Sequence, residues 1–106
     1  MAKFMVKASY NAEGARGLLK DGGTARREAV DKSIKALGGS LEAFYFAFGD
    51  ADAYVIVDVP DVTSGIALSL AVNSTGAVHV STIPLITPAE MDAACKKTVS
   101  YRAPGA

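Results

Sequence analysis

The chain has 106 residues, half of them hydrophobic, with 11 basic and 11 acidic side chains. That length predicts one domain over 1–106 with enough apolar content for a core, and zero net charge gives no electrostatic footprint for nucleic acid or an anionic membrane. The single cysteine, Cys95, excludes an internal disulfide and a cysteine-based metal finger.

No apolar run reaches bilayer-spanning length. The amino-terminal MAKFMVKASY lacks the apolar core and cleavage site of a signal peptide. The expected location is therefore cytoplasmic, with no membrane partner.

Lys3 to Tyr10 predicts a first strand, with Phe4, Val6 and Ala8 on one face and Met5, Lys7 and Ser9 on the other. Asn11 is a candidate N-cap for a short helix from Ala12 to about Lys20. Gly14 and Gly17 each cost that helix about 1 kcal/mol relative to alanine, and both permit close approach of another backbone. Asp21-Gly22-Gly23 breaks it. A stronger helix follows from about Ala25 to Leu37, its buried stripe marked by Val30, Ile34 and Leu37 at helical spacing. Gly38 and Gly39 stop it. Gly22-Gly23, with Arg26 and Arg27 just beyond, also offers main-chain N–H groups to an anion, but without the phosphate-loop lysine pattern.

Leu41 to Val59, LEAFYFAFGDADAYVIVDV, predicts a hairpin of two strands around an acidic turn, Gly49-Asp50-Ala51-Asp52. With strict alternation from Ser40 to Phe48, Phe44, Phe46 and Phe48 share one face with Glu42, while Leu41, Ala43, Tyr45 and Ala47 share the other. The second strand places Ala53, Val55, Val57 and Val59 opposite Tyr54, Ile56 and Asp58. Both faces are apolar, whereas a small antiparallel sheet usually keeps one face wet. Helices cover one face. A second copy of the chain is the expected cover for the other, since an uncovered aromatic face is an unusually large exposed patch. The expected partner is the chain itself, as a homodimer or higher homo-oligomer, with Phe44, Phe46, Phe48 and Ile56 at the contact.

Pro60-Asp61 punctuates the chain, and Asp61 or Thr63 can cap a small apolar helix reaching about Asn73. Ala77 to Ile83 predicts the last core strand, with Val78 and Val80 opposite His79 and Ser81. Thr87-Pro88-Ala89-Glu90 combines an N-cap threonine, a proline at the first helical position and a glutamate placed for a capping box. It starts a helix from Pro88 to about Lys97. Arg102 to Ala106 reads as a flexible tail. The order β-α-β-β-α-β with a terminal helix is the ferredoxin-like α+β arrangement, and pairing its open faces gives a dimeric α+β barrel.

Three segments, TARREAV (24–30), ALGGSLEAFYFAFGDADAYVIVDVPD (36–61) and ALSLAVNSTGAV (67–78), resemble the GYD-domain family, and the likeness spans Lys3 to about Met91. The resemblance implies a dimeric α+β barrel and brings no agreed activity. The family's Gly-x-Tyr-Asp signature falls in the hairpin turn. Gly49 and Asp52 match it, while Ala51 stands at the tyrosine position. Arg27 stands where the family commonly has an arginine.

Candidate chemistry is sparse. His79, the one histidine, is a candidate general base. Asp58, mid-strand between valines, is the other candidate and is expected to pair with Lys7. Asp52 and Asp58 lie about 20 Å apart along the chain, too far to hold one ion. Asp50 and Asp52 serve turn chemistry, hold a metal ion or work as an acid/base pair. There is no His-x-His pattern and no cofactor motif, so no metal and no cofactor are expected. Cys95 lacks a neighbouring base, and the serines lack a nucleophile-elbow pattern.

Three readings stay open. In the first, a small oligomer binds a ligand or partner in the cleft between sheet and helices, with Tyr10, Arg27, Tyr45, Tyr54 and His79 as its polar trim. In the second, a cofactor-free oxygenase or isomerase encloses an apolar substrate beside Phe44, Tyr45, Phe46 and His79. In the third, a metal-dependent nuclease uses paired acids at a dimer seam. Asn11 after the first strand and the absence of net positive charge speak against the last.

Overall fold

The computed structural model describes residues 2–106. In chain order the elements are β1 (Ala2–Tyr10), α1 (Ala12–Asp21), α2 (Gly23–Ala36), β2 (Ser40–Phe46), β3 (Ala53–Val59), α3 (Val62–Ser74), β4 (Val78–Leu85) and α4 (Pro88–Cys95). The four strands form one antiparallel sheet in the order β2-β3-β1-β4. This is the ferredoxin-like α+β arrangement, with the two crossovers covering one sheet face.

The alternation read from β1 and β3 sets which face is dry. Phe4, Val6 and Ala8 are buried with Ala53, Val55, Val57 and Val59, and Val78 and Val80 extend the layer onto β4. α2 contributes Ile34, which is fully buried. α3 comes close over β1, because a Cβ on Gly65 would meet the Phe4 ring at 2.6 Å.

The helix starts follow their capping residues. Asn11 accepts from the Gly14 amide at 2.9 Å and donates its own side-chain amide to the Gly76 carbonyl, tying α1 to the turn before β4. Asp61 caps α3 through the Ser64 amide. Gly22, at φ +84°, is the break between α1 and α2, a backbone conformation that glycine adopts without steric cost.

Two expectations are corrected in the hairpin. β2 does not alternate strictly. A bulge between Leu41 and Ala43 accommodates Glu42, so Leu41 opposes Val57, Ala43 opposes Ile56, Phe44 opposes Val55 and Phe46 opposes Ala53. One extra residue in a strand exchanges its faces beyond that point. Phe44 and Phe46 thus turn toward the helices with Leu41, packed edge to face at 5.1 Å. Ile56 stays on the open face with Ala43 and Tyr45. The strand also ends at Phe46, which leaves Phe48 in the turn and fully exposed. Grouping Phe44, Phe46 and Phe48 with Ile56 on one face is therefore wrong as geometry.

The second correction concerns Asp58. The register sets Lys3, not Lys7, beside it. The Lys3 ammonium bridges the carboxylates of Glu42 and Asp58 on the open face. Lys7 instead lies 5.9 Å from the centre of the Tyr54 ring.

Candidate functional site

The polar residues expected to trim one cleft are divided between the two sides of the sheet. Tyr45 and Tyr54 oppose each other on the open face, and His79 lies there too, exposed, opposite Ser9. Tyr10 falls on the other side, because it continues the Phe4, Val6, Ala8 series. Arg27 is exposed on α2. Its neighbour Arg26, rotated about 100° around the helix axis, is the arginine that reaches the space above the sheet.

That space is a cavity of about 140 Å³ between the sheet and helices α2 and α3. Its walls are mostly apolar: Val6, Val55 and Val80 from the strands, Val30 and Leu68 from the helices, and Phe44 at one side. A groove between α2 and α3, with Arg26, Leu68 and Val72 common to both spaces, opens it to solvent. Small side chains keep the cavity from filling, since Ala8, Ala29 and Ala53 stand where larger residues would reach across.

Tyr10, Arg26, Ser33, Ser69 and Thr82 are the cavity's polar lining residues. Tyr10 pairs with Val78 at one end of β1, whereas Thr82 pairs with Val6, about 13 Å away along the strand. The Thr82 hydroxyl is buried without a hydrogen-bond partner. Such a group ordinarily costs about 1–3 kcal/mol unless a ligand or water meets it. Among the described residues, Arg26 takes part in no ion pair. No histidine or carboxylate among the described residues lines the cavity. His79 is separated from it by the thickness of the sheet, and a cofactor-free reaction inside would lack that imidazole as a base.

The acidic turn is structural in its geometry. Oδ2 of Asp52 accepts from the Tyr10 main-chain amide at 2.8 Å, and the Asp52 amide donates to the Ala8 carbonyl at 2.8 Å. Asp50 is exposed at the tip. No group of three or more His, Cys, Asp or Glu residues at metal-binding distance occurs among the described residues. Asp58 has its second oxygen, Oδ1, buried without a partner. It is occupied by Lys3 rather than poised over a cleft.

Thr82 is not among the residues the sequence singles out, and Arg26 is singled out there only beside Gly22-Gly23 as a helper for an anion, not as a cavity residue, although each left a trace. Thr82 follows Val78 and Val80 at the strand period of two. Arg26 precedes Val30 by one helical turn, so the buried stripe of α2 runs through it.

The fold and this cavity define a ferredoxin-like α+β protein with a small apolar chamber under its crossover helices. The sequence profile of the GYD domain matches residues 4–95, and the chain belongs to the GYD domain family. Neither a curated protein nor a solved structure matches the chain. Among the described residues, no helix is long and apolar enough to cross a membrane.

Proposed function

We propose that the protein binds a small, largely apolar monocarboxylate in the cavity between sheet and helices. The carrying observation is the pairing of an apolar chamber with an ion-pair-free arginine, Arg26, at its edge. An apolar cavity of about 150 Å³ takes a benzene-sized body, which matches the volume here. A carboxylate on that body meets the Arg26 guanidinium, whose fork geometry suits two parallel hydrogen bonds. A ligand of so few atoms binds with a Kd of roughly micromolar to millimolar size.

Benzoate and benzamide make the test, followed by amide chemical-shift changes. Benzoate is expected to shift Val6, Val55 and Val80 and to bind about tenfold more tightly than the neutral amide, a difference of one charge-assisted contact. Arg26→Gln erases that difference. Shifts confined to the open sheet face, or none at 10 mM benzoate, overturn the reading.

The same proposal includes a homodimer. The open face presents Met5, Tyr54, Ile56 and Ile83, with Ile83 38% exposed in the single chain. A second copy stacked on it covers these side chains and leaves each cavity, on the opposite side of the sheet, open through its own groove. Sedimentation of the full chain tests this part, and a monomer at 100 μM rejects it.

A further inference from the structure

α4 combines a complete capping box at Thr87 and Glu90 with a proline at its start, yet it buries none of its eight residues. Every residue from 88 to 106 is exposed. Met91 is 48% exposed, Val99 78% and Tyr101 76%. An isolated helix shorter than about 12–15 residues is marginal in water, because helices in proteins owe most of their stability to packing. α2 and α3 already occupy the helical side of the sheet. The arm instead extends away, and the molecule measures 55 Å in its longest direction against 34 and 22 Å in the others.

The open sheet face alone makes a small interface. Four strands of about seven residues present roughly 450 Å² at ordinary strand spacing and rise. A standard stable interface takes about 800 Å² from each partner. One face of α4, about 12 Å long, with the extended run after it, offers roughly 300 Å² more. That closes most of the gap. The apolar row of the open face also leads into the arm. Ile83 and Leu85 oppose Met5 and Lys3 on that face, and Ile86, 58% exposed, follows at once.

We propose that residues Ile86–Arg102 are an exchanged arm that docks on a second copy of this chain at the margin of the stacked sheets, with Met91, Val99 and Tyr101 as its contact side chains. The proposal rests on the homodimer reading above. The arm gains in the dimer the packing its own body does not provide, and the interface comes close to the size of a standard stable one.

Hydrogen exchange on the full chain, with mass by light scattering, separates this arm from the dimer itself. In the dimer, the amides of 91–95 are expected to exchange at least about 100-fold more slowly than in a free peptide, and to lose that protection on dilution to monomer. Met91→Glu and Tyr101→Glu, both at sites exposed in the single chain, are each expected to weaken the dimer about tenfold or more. A dimer whose α4 amides exchange at free-peptide rates overturns the arm and leaves the sheet interface standing. Unchanged dimer affinity in both variants does the same. A monomeric chain overturns both.

Discussion

The main-chain nitrogen of Tyr10 donates to the carboxylate of Asp52 across 2.8 Å, so the end of β1 is fastened to the turn between β2 and β3. The contact spans 42 positions of sequence. It gives the aspartate of the Gly-x-Tyr-Asp signature a structural task in this chain. The tyrosine position of that signature holds Ala51, which is buried. The aspartate therefore keeps its contact without a neighbouring phenol.

Removing that acceptor leaves the Tyr10 amide unpaired in a half-buried place. Asp52→Ala is expected to lower stability by about 1–3 kcal/mol, the usual cost of stranding one hydrogen-bonding partner. Asp52→Asn keeps an oxygen in reach and should lose less. Urea unfolding of the three proteins measures both. Equal losses for Ala and Asn would show that charge, not the acceptor, is what the turn needs.

Gly14 and Gly17 look alike in sequence and differ in space. A Cβ on Gly14 would lie 2.3 Å from the Ala77 carbonyl oxygen, a main-chain atom that cannot step aside, whereas nothing lies within 4 Å of one on Gly17. Gly17→Ala is expected to stabilise the protein by about 1 kcal/mol through helix propensity alone. Gly14→Ala should destabilise it by about 1–3 kcal/mol as α1 is pushed off the turn that precedes β4. Thermal unfolding of the pair gives opposite signs if the helix packs as described.

This pair also marks how far the sequence could be read. The order of elements along the chain, the caps at Asn11 and Thr87, with Asp61 as one of two candidates for α3, and the dry face of β1 and β3 follow from local chemistry and a period of two, and these were legible. Local patterns carry no information on which of two helical glycines meets a carbonyl 60 or more positions away. The bulge at Glu42 was hidden for a related reason. Nothing in SLEAFYF marks the extra residue, since the parity of a strand is fixed by its neighbour and not by itself. That one residue turned Phe44 and Phe46 toward the helices and made Phe44, expected at a dimer contact, part of the cavity wall. The cavity was legible as a cleft on the correct side of the sheet. Of its polar members Tyr10 was expected there, whereas Arg26 was read as an anion helper at the helix start and Thr82 sits in a run that reads only as strand.

Thr82 offers a separate test of the cavity. Its hydroxyl is buried and unpartnered, so Thr82→Val exchanges a stranded polar atom for a methyl group of similar shape. The unliganded variant is expected to gain about 1 kcal/mol in chemical unfolding. A loss of stability instead would mean that the hydroxyl is met in solution, by water or by a resident molecule, and native mass spectrometry of the purified protein would then distinguish the two.

The pH dependence follows from three perturbed groups. The Ser64 hydroxyl, then the Ser64 amide and the Thr63 hydroxyl, hold the Asp61 carboxyl below its usual value of 3.8. The Thr87 amide, then its hydroxyl, hold Glu90 below 4.5. A carboxylate depressed in the folded state contributes stability that is present above its unfolded value and is lost as pH falls through the folded one. Lys3 runs the other way. Its hydrogen bond to Glu42, aided by the charges of Glu42 and Asp58 against some desolvation, raises it above 10.5. Its contribution is present below the unfolded value and disappears as pH rises through the raised one. These groups leave stability level from about pH 6 to pH 9, with an acid limb from Asp61 and Glu90 and an alkaline limb from Lys3. Asp61→Asn should be less stable than the parent at pH 7 and should converge with it near pH 2, where the parent carboxyl is also neutral. Lys3→Met should flatten only the alkaline limb. Urea midpoints across the pH range measure both, and an acid limb of unchanged steepness in Asp61→Asn would place the titrating groups elsewhere in the molecule.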